Sequence, residues 1–282
     1  MNTPRALVLT GYGLNCDGET QYALSLAGFQ ADLVHISQLI DPQAETPVRL
    51  EDYHLLAVIG GFSWGDDHGA GVILGTRLRY RLKEELDRFI AAGKLVIGIC
   101  NGFQCLVNMG LLPGLDEDYE SRRVALMNND SGNFRDDWVR LRVNGESPCI
   151  FTRGLEILDL PVRHGEGKFV AAPEVLDRLQ ADHQLALFYA LASGEKAGGR
   201  FPDNPNGSLL DVAGLCNPTG RIFGLMPHPE AYHHWTNHPD WTLQREQARR
   251  EGKIIEKEGG GIKIFRNACE YVREKIMNGV LE

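Results

Sequence analysis

The chain reads as an α/β protein built around a doubly wound, mainly parallel sheet, and two observations carry that reading. Short apolar runs alternate with longer amphipathic segments through the first hundred residues, the pattern of successive βαβ units. Two of those runs end in small-residue turns, Gly60-Gly61 after residues 55–59 and Cys100-Asn101-Gly102 after residues 95–99. Ligands in such sheets bind beyond the carboxyl ends of the strands, where both turns fall.

Residues 6–10 form the first predicted strand, followed by a loop over 11–18 and a helix over about 19–27. Residues 32–36 give a second strand. Residues 55–59 give a third, whose glycine-rich loop extends to Gly71. A helix with charge on its outer face covers about 77–92, and Gly93 stops it. The run Leu95-Val-Ile-Gly-Ile-Cys100 is then a buried strand leading directly into a helix.

The second half changes character. Residues 124–128 and 139–143 are short strands joined by a polar connection, which predicts a smaller antiparallel or mixed portion. Residues 186–190 and 221–225 are further strands, and 194–208, rich in Gly, Pro and Asn, reads as a loop or a mobile excursion. A charged helix is expected over 244–258 and an amphipathic closing helix over 262–277.

At 282 residues, with 43% hydrophobic and 24% charged, the composition is that of an ordinary globular protein. A net charge of −9 argues against nucleic acid as a partner. No apolar stretch approaches the roughly 18 residues that span a bilayer, and Met1-Asn-Thr-Pro-Arg5 has no leader pattern, so no membrane partner is expected. Six cysteines (Cys16, Cys100, Cys105, Cys149, Cys216, Cys269) contain no CxxC pair, which suits a reducing cytoplasm.

Cys100 is the candidate nucleophile. A strand cysteine taken alone is a small buried hydrophobe. Here the strand-to-helix turn lifts the side chain above the sheet, and the new helix's N–H groups favour the thiolate. Its base is sought in Met226-Pro-His228-Pro-Glu230, where flanking prolines favour an extended segment and positions i and i+2 share a side. His228 would then face Cys100 with Glu230 fixing the ring. A proline-rich turn carrying a surface histidine fits the spacing as well. The Gly60-Gly61 turn could present one backbone N–H as an oxyanion donor, and Asn101, just after the thiol, a second.

These pieces resemble the class I (triad) glutamine amidotransferases, and within them the glutaminase subunits of phosphoribosylformylglycinamidine synthase. The matching segments run in family order. They are Asn15-Cys-Asp17, Gly60-Gly-Phe-Ser-Trp-Gly-Asp66, Gly98-Ile-Cys-Asn-Gly-Phe-Gln104 and Gly110-Leu-Leu-Pro-Gly114, then His164-Gly-Glu-Gly167, Asn204-Pro-Asn-Gly-Ser208, Met226-Pro-His-Pro-Glu230 and Gly261-Ile-Lys-Ile-Phe265. The resemblance implies a flavodoxin-like three-layer sandwich and one amidotransferase domain over 1–282, with a charged peripheral insertion at about 233–260. It implies that Cys100 forms a γ-glutamyl thioester, that His228 and Glu230 move protons, and that Gly61 and Asn101 hold the oxyanion. It gives Gln104 a contact to the glutamine substrate, although by position alone Gln104 is an ordinary helix residue, and it puts His164 near the site. ATP and magnesium would belong to a separate synthetase subunit, with a small third subunit as a further partner and no cofactor in this chain.

Two departures stand out. Asp66-Asp-His68-Gly-Ala-Gly71 lacks an arginine that many relatives carry, and Ala231 replaces a frequent arginine after Pro-His-Pro-Glu. Either change bears on the partner interface. Two other functions fit less well: a stand-alone thiol amidohydrolase or other triad amidotransferase, and a glutamine-sensing scaffold, against which the intact triad argues. Cys16 and Cys105 read as structural, and His233, His234 and His238 lack a metal-ligand spacing. No phosphate-binding loop is present, and Gly11-Tyr-Gly13 lacks the rest of a dinucleotide fingerprint.

Overall fold

The computed structural model describes residues 3–41 and 43–280. The first half follows the predicted order, with the short helix α2 added to it: β1 (Arg5–Thr10), α1 (Asp17–Ala27), β2 (Gln30–His35), α2 (Ile36–Ile40), β3 (Leu55–Val58), α3 (Val72–Ala91), β4 (Leu95–Ile99) and α4 (Asn101–Met109). The second half comprises β5 (Val124–Asn128), β6 (Arg135–Val143), β7 (Ile157–His164), β8 (Glu166–Ala171), α5 (Pro173–Ala181), β9 (Leu185–Ala190), β10 (Val212–Cys216), β11 (Ile222–Leu225), α6 (Trp241–Glu251) and α7 (Ile262–Met277).

Among the described residues a nine-stranded sheet runs β2-β1-β3-β4-β11-β10-β9-β6-β7, and β5 pairs with β8 in a separate two-stranded ribbon. The strands from β2 to β11 are parallel, and the rest of the sheet alternates in antiparallel pairs. The chain steps one way from β1 to β2 and the other way from β3 to β4. Right-handed crossovers therefore put α1 and α3 on opposite faces. Helix α7 packs with α1 and helix α4 with α3, which completes three layers. Strands β3, β4, β9, β10 and β11 are buried at every position, so they read as continuous apolar runs without alternation.

Several boundaries differ from expectation for local reasons. Ile36 belongs to α2, because His35 and Gln38 form a reciprocal cap there and end β2. Helix α3 starts at Val72, immediately after the left-handed Gly71. The charged helix covers Trp241–Glu251 and stops at the left-handed Gly252. Residues 253–257 have no regular structure, and Glu258 then bridges His234. The 194–208 loop is anchored, with Asn204, Asn206 and Ser208 all buried. Asn204 Nδ2 donates to Asp211 Oδ1 at 2.9 Å, and Asn206 Nδ2 donates to the Gly167 carbonyl at 2.9 Å. Strand β7 contains Pro161, which an edge strand tolerates.

Among the described glycines, Gly102 leaves the least space for a side chain, where α4 meets the end of β3. A Cβ built on Gly102 would lie 1.8 Å from the Val58 carbonyl oxygen. Gly102→Ala is therefore expected to cost about 3 kcal/mol or more in urea unfolding. At Gly145, whose Cβ would meet nothing within 4 Å, the same change should shift stability by less than about 0.5 kcal/mol.

Candidate active site

Cys100 alone turns the chain from β4 into α4, with φ 51° and ψ −108°. An L residue held there costs on the order of 1–3 kcal/mol and persists only when its surroundings enforce it. The enforcement is visible on both sides. The Cys100 N–H donates to the Leu225 carbonyl of β11 at 2.8 Å, and its own carbonyl accepts the first helical bond, from Gln104 N–H at 3.1 Å. The N–H groups of Asn101, Gly102 and Phe103 lie ahead of that first bond and have no partner inside the helix.

Gly61 supplies a backbone amide from the other side. It forms an antiparallel bridge with Leu14, but the bonds of that bridge come from Phe62 N–H to Gly13 O at 2.9 Å and from Asn15 N–H to Gly60 O at 3.3 Å. Gly61 occupies the non-hydrogen-bonded position of this pair, so its own N–H is not spent there.

His228 lies three residues beyond β11, and its N–H donates to the Pro161 carbonyl of β7 at 2.8 Å. Its Nδ1 is 2.6 Å from Glu230 Oε1, with both side chains buried. The pair forms in a 3-10 turn over Pro229–Ala231 rather than in an extended segment. Desolvation pulls the His228 pKa down, but the charge of Glu230, with contributions from the Cys100 and Cys16 thiols, outweighs it and holds the ring well above its ordinary value. Room for the ring comes from Gly60, where a Cβ would lie 2.8 Å from His228 Cε1. His228 Nε2 is buried without a hydrogen-bond partner among the described residues. Cys100 and His228 line one cavity of about 190 Å³ together with Gly61, Cys16, Glu19 and Arg163. That arrangement brings a helix-start thiol, a carboxylate-bound imidazole and backbone donors onto one small space, which suits acyl transfer from an amide.

The other predicted positions lie around this cavity rather than on it. Asn101 and Gln104 are buried, and Asn101 Nδ2 donates to Gln104 Oε1 at 3.2 Å. Gln104 Nε2 donates in turn to the Glu166 carbonyl. His164 is held by Asn129, its Nδ1 lying 3.1 Å from Asn129 Oδ1, and does not pair with Glu166. Burial and the nearby His228 charge pull the His164 pKa to about 3, so its ring is neutral. Glu166 Oε2 instead accepts from Ala70 N–H at 3.2 Å. Cys105 is fully buried with its Sγ 3.7 Å from Met109 Sδ. The three late histidines diverge: His233 packs edge-on to Tyr22, His234 caps a turn through Thr236, and His238 packs on Trp138.

Sequence reasoning missed Glu19 and Arg163, which form an ion pair at 3.3 Å on the cavity wall. They come from α1 and β7, far apart in the chain, and neither sits in a local pattern that marks it. It also passed over Asp66 as a site residue. Asp66 Oδ1 accepts from Asn101 Nδ2 at 3.0 Å, and Asn101 Oδ1 accepts from Ser63 N–H at 3.4 Å, so the glycine-rich loop is tied to the first turn of α4.

Burial pushes the Asp66 carboxyl up to about 6, against the Asn101 hydrogen bond and helped by the Glu166 charge. A carboxyl whose folded pKa exceeds its unfolded 3.8 stabilises the fold while protonated and loses that contribution as pH rises through about 6. Asp66→Asn should therefore raise stability by about 1 kcal/mol at pH 8, after allowing for solvent screening, with no gain near pH 4. Thermal unfolding of both proteins across that range checks it.

Residues 3–272 match the family described as CobB/CobQ-like glutamine amidotransferase domain. Over 274 residues the chain is 42% identical to the phosphoribosylformylglycinamidine synthase subunit PurQ of Dehalococcoides mccartyi, covering 97% of this chain and 100% of that one. It is 40% identical over 269 residues to the subunit of the same name from Methanococcus maripaludis, with 95% and 97% covered. Its fold is similar to the solved structure of PurLQS from Thermotoga maritima, with a TM-score of 0.67 and 29% identity over 96% of this chain and 100% of that one. With a family match over nearly its whole length and full-length relatives of one kind, the chain belongs to the CobB/CobQ-like glutamine amidotransferases, among the PurQ subunits of phosphoribosylformylglycinamidine synthase.

Proposed function

We infer that this chain is the glutamine-hydrolysing subunit of phosphoribosylformylglycinamidine synthase and that Cys100, His228 and Glu230 carry its chemistry. The observation that carries this reading is the buried 2.6 Å contact from Glu230 to His228, whose ring lines the same cavity as the strained Cys100. Cys100 Sγ, as thiolate, attacks the side-chain amide carbon of glutamine. The oxygen that becomes negative is met by the N–H groups of Gly61 and Asn101. His228, held as imidazolium beside Glu230, gives its proton to the departing nitrogen, so ammonia leaves and a γ-glutamyl thioester remains. The neutral ring then takes a proton from water as the water attacks the thioester, glutamate departs, and the thiolate–imidazolium pair is restored.

Gln104 and His164 act behind this centre. Gln104 is turned into the protein here, so contact with glutamine would require its side chain to leave Asn101 and Glu166. The ammonia passes to a synthetase subunit that holds ATP and magnesium and amidates formylglycinamide ribonucleotide, in an assembly that includes a small third subunit. We read residues 1–282 as one amidotransferase unit, with 233–260 a charged peripheral addition. We place the protein in the cytoplasm, where six free cysteines are at home.

The test uses the complex with its synthetase. Cys100→Ser is expected to lower glutamine-dependent synthesis by about 10³-fold or more while leaving synthesis from added ammonium intact. Glu230→Gln should lower glutamine kcat by about 10²-fold or more with KM little changed, because the ring loses its orienting charge. Glutamine-dependent turnover that survives Cys100→Ser would sink the assignment.

A further inference from the structure

One buried thiol faces the site without a part in the chemistry above. Cys16 precedes helix α1, and its Sγ lies 3.9 Å from His228 Nδ1, the same ring atom that meets Glu230. One ligand atom from each of Cys16, His228 and Glu230 can be chosen so that all lie within 4.8 Å of one another. Glu230 is fully buried, and its Oε2 has no hydrogen-bond partner among the described residues. Cys16 and His228 also line the cavity, which gives an ion a way in.

We propose that Cys16, His228 and Glu230 form a binding site for a soft divalent cation, zinc above all, and that occupancy switches glutamine hydrolysis off. The binding site stands on this geometry, whereas the effect on turnover rests on the triad reading above. Three arguments support zinc. A thiolate and a carboxylate cancel its two charges, so the filled site is neutral in a place where net charge is expensive. Thiolate and imidazole select a borderline-soft ion, while magnesium keeps to oxygen ligands and its own waters. The metal used by a synthetase would therefore pass this site by.

The distances fit as well. Tetrahedral zinc with bonds of roughly 2.3 Å to sulfur and 2.0–2.1 Å to nitrogen sets S···N near about 3.6 Å, close to the 3.9 Å observed. The nitrogen and carboxylate oxygen must part to about 3.3 Å, so the 2.6 Å contact opens by about 0.7 Å. With three protein ligands, a water entering from the cavity would fill the fourth position. Arg163 on the same wall opposes a cation, and its ion pair with Glu19 moderates that opposition.

The consequence for the chemistry follows from the protons. Binding sends the Cys16 thiol proton and the His228 Nδ1 proton to solvent and leaves the ring's remaining proton on Nε2. The metal then blocks its return to Nδ1. Such a ring has lost its bond to Glu230 and cannot accept a proton on the face turned to Cys100, so it no longer works as acid and base.

The test is zinc binding to the metal-free full-length chain, kept reduced with a phosphine and followed by equilibrium dialysis with metal analysis. Wild type, Cys16→Ser and Cys100→Ser are compared, with cobalt as a spectroscopic stand-in. The expected result is one zinc per chain in wild type and in Cys100→Ser, and binding at least about 100-fold weaker in Cys16→Ser. Cobalt should give a thiolate charge-transfer band in Cys100→Ser. In that same variant zinc should shield Cys16 from alkylation by iodoacetamide in peptide maps, a readout that does not depend on Cys16→Ser folding. No zinc binding, binding indifferent to Cys16→Ser, or binding lost with Cys100→Ser would each overturn the site, the last by moving the ion to Cys100 and Nε2. Zinc bound as described with glutamine turnover of the complex unchanged would overturn the switch and count against the triad while leaving the site.

Discussion

Everything in this protein depends on how closely the start of helix α4 is pressed against the end of strand β3. Gly102 lies against the Val58 carbonyl with no space for even a methyl group. That contact gives the chain no gradual way out of β4, so the whole change of direction falls on Cys100 at positive φ. The strain is held by strands buried at every position on either side, whose apolar burial far exceeds 1–3 kcal/mol. The result is a thiol at the head of a helix, beside backbone N–H groups that the helix itself cannot satisfy.

The sheet supplies the second half of the site. Strand β11 lies parallel to β4 with Leu225 opposite Ile99, so the segments that leave both strands emerge side by side. The bond from Cys100 N–H to the Leu225 carbonyl locks that alignment. His228 is fastened to β7 through Pro161, and Gly60 clears the space its ring occupies. Fixed backbone thus sets the relation between thiol and imidazole. A neighbouring carboxylate set by the same turn then holds the ring's proton against the penalty of burial. Asp66 ties the loop carrying Gly61 to Asn101, the residue of the second proposed oxyanion donor.

The parallel half was legible in the sequence because its signals are local. Continuous apolar runs ending in small-residue turns, Gly60-Gly61 and Cys100-Asn101-Gly102, mark β3 and β4, and Gly93 closes the helix between them. Cys100 was legible because the turn around it has a fixed chemistry of small residues. His228 and Glu230 were legible through their spacing, although the turn that joins them is tighter than the prolines suggested. What escaped was set by partners distant in the chain. Strand β7 carries a proline that only its edge position excuses. Glu19, Arg163 and Asp66 become part of the site only once α1, β7 and the glycine-rich loop converge. Gln104 and His164 show the converse: the resemblance puts them near the site, and the structure puts both inside hydrogen-bond networks behind it.

If Cys100 is the nucleophile, the covalent intermediate can be trapped on it. Isotopically labelled glutamine would be mixed with the complete complex, quenched in acid within one turnover, and the digested peptides mapped. A γ-glutamyl group is expected on the Cys100 peptide, lost on treatment with hydroxylamine as a thioester should be. Label on Cys16 or another residue, or turnover with no protein-bound label at any time, would contradict that expectation.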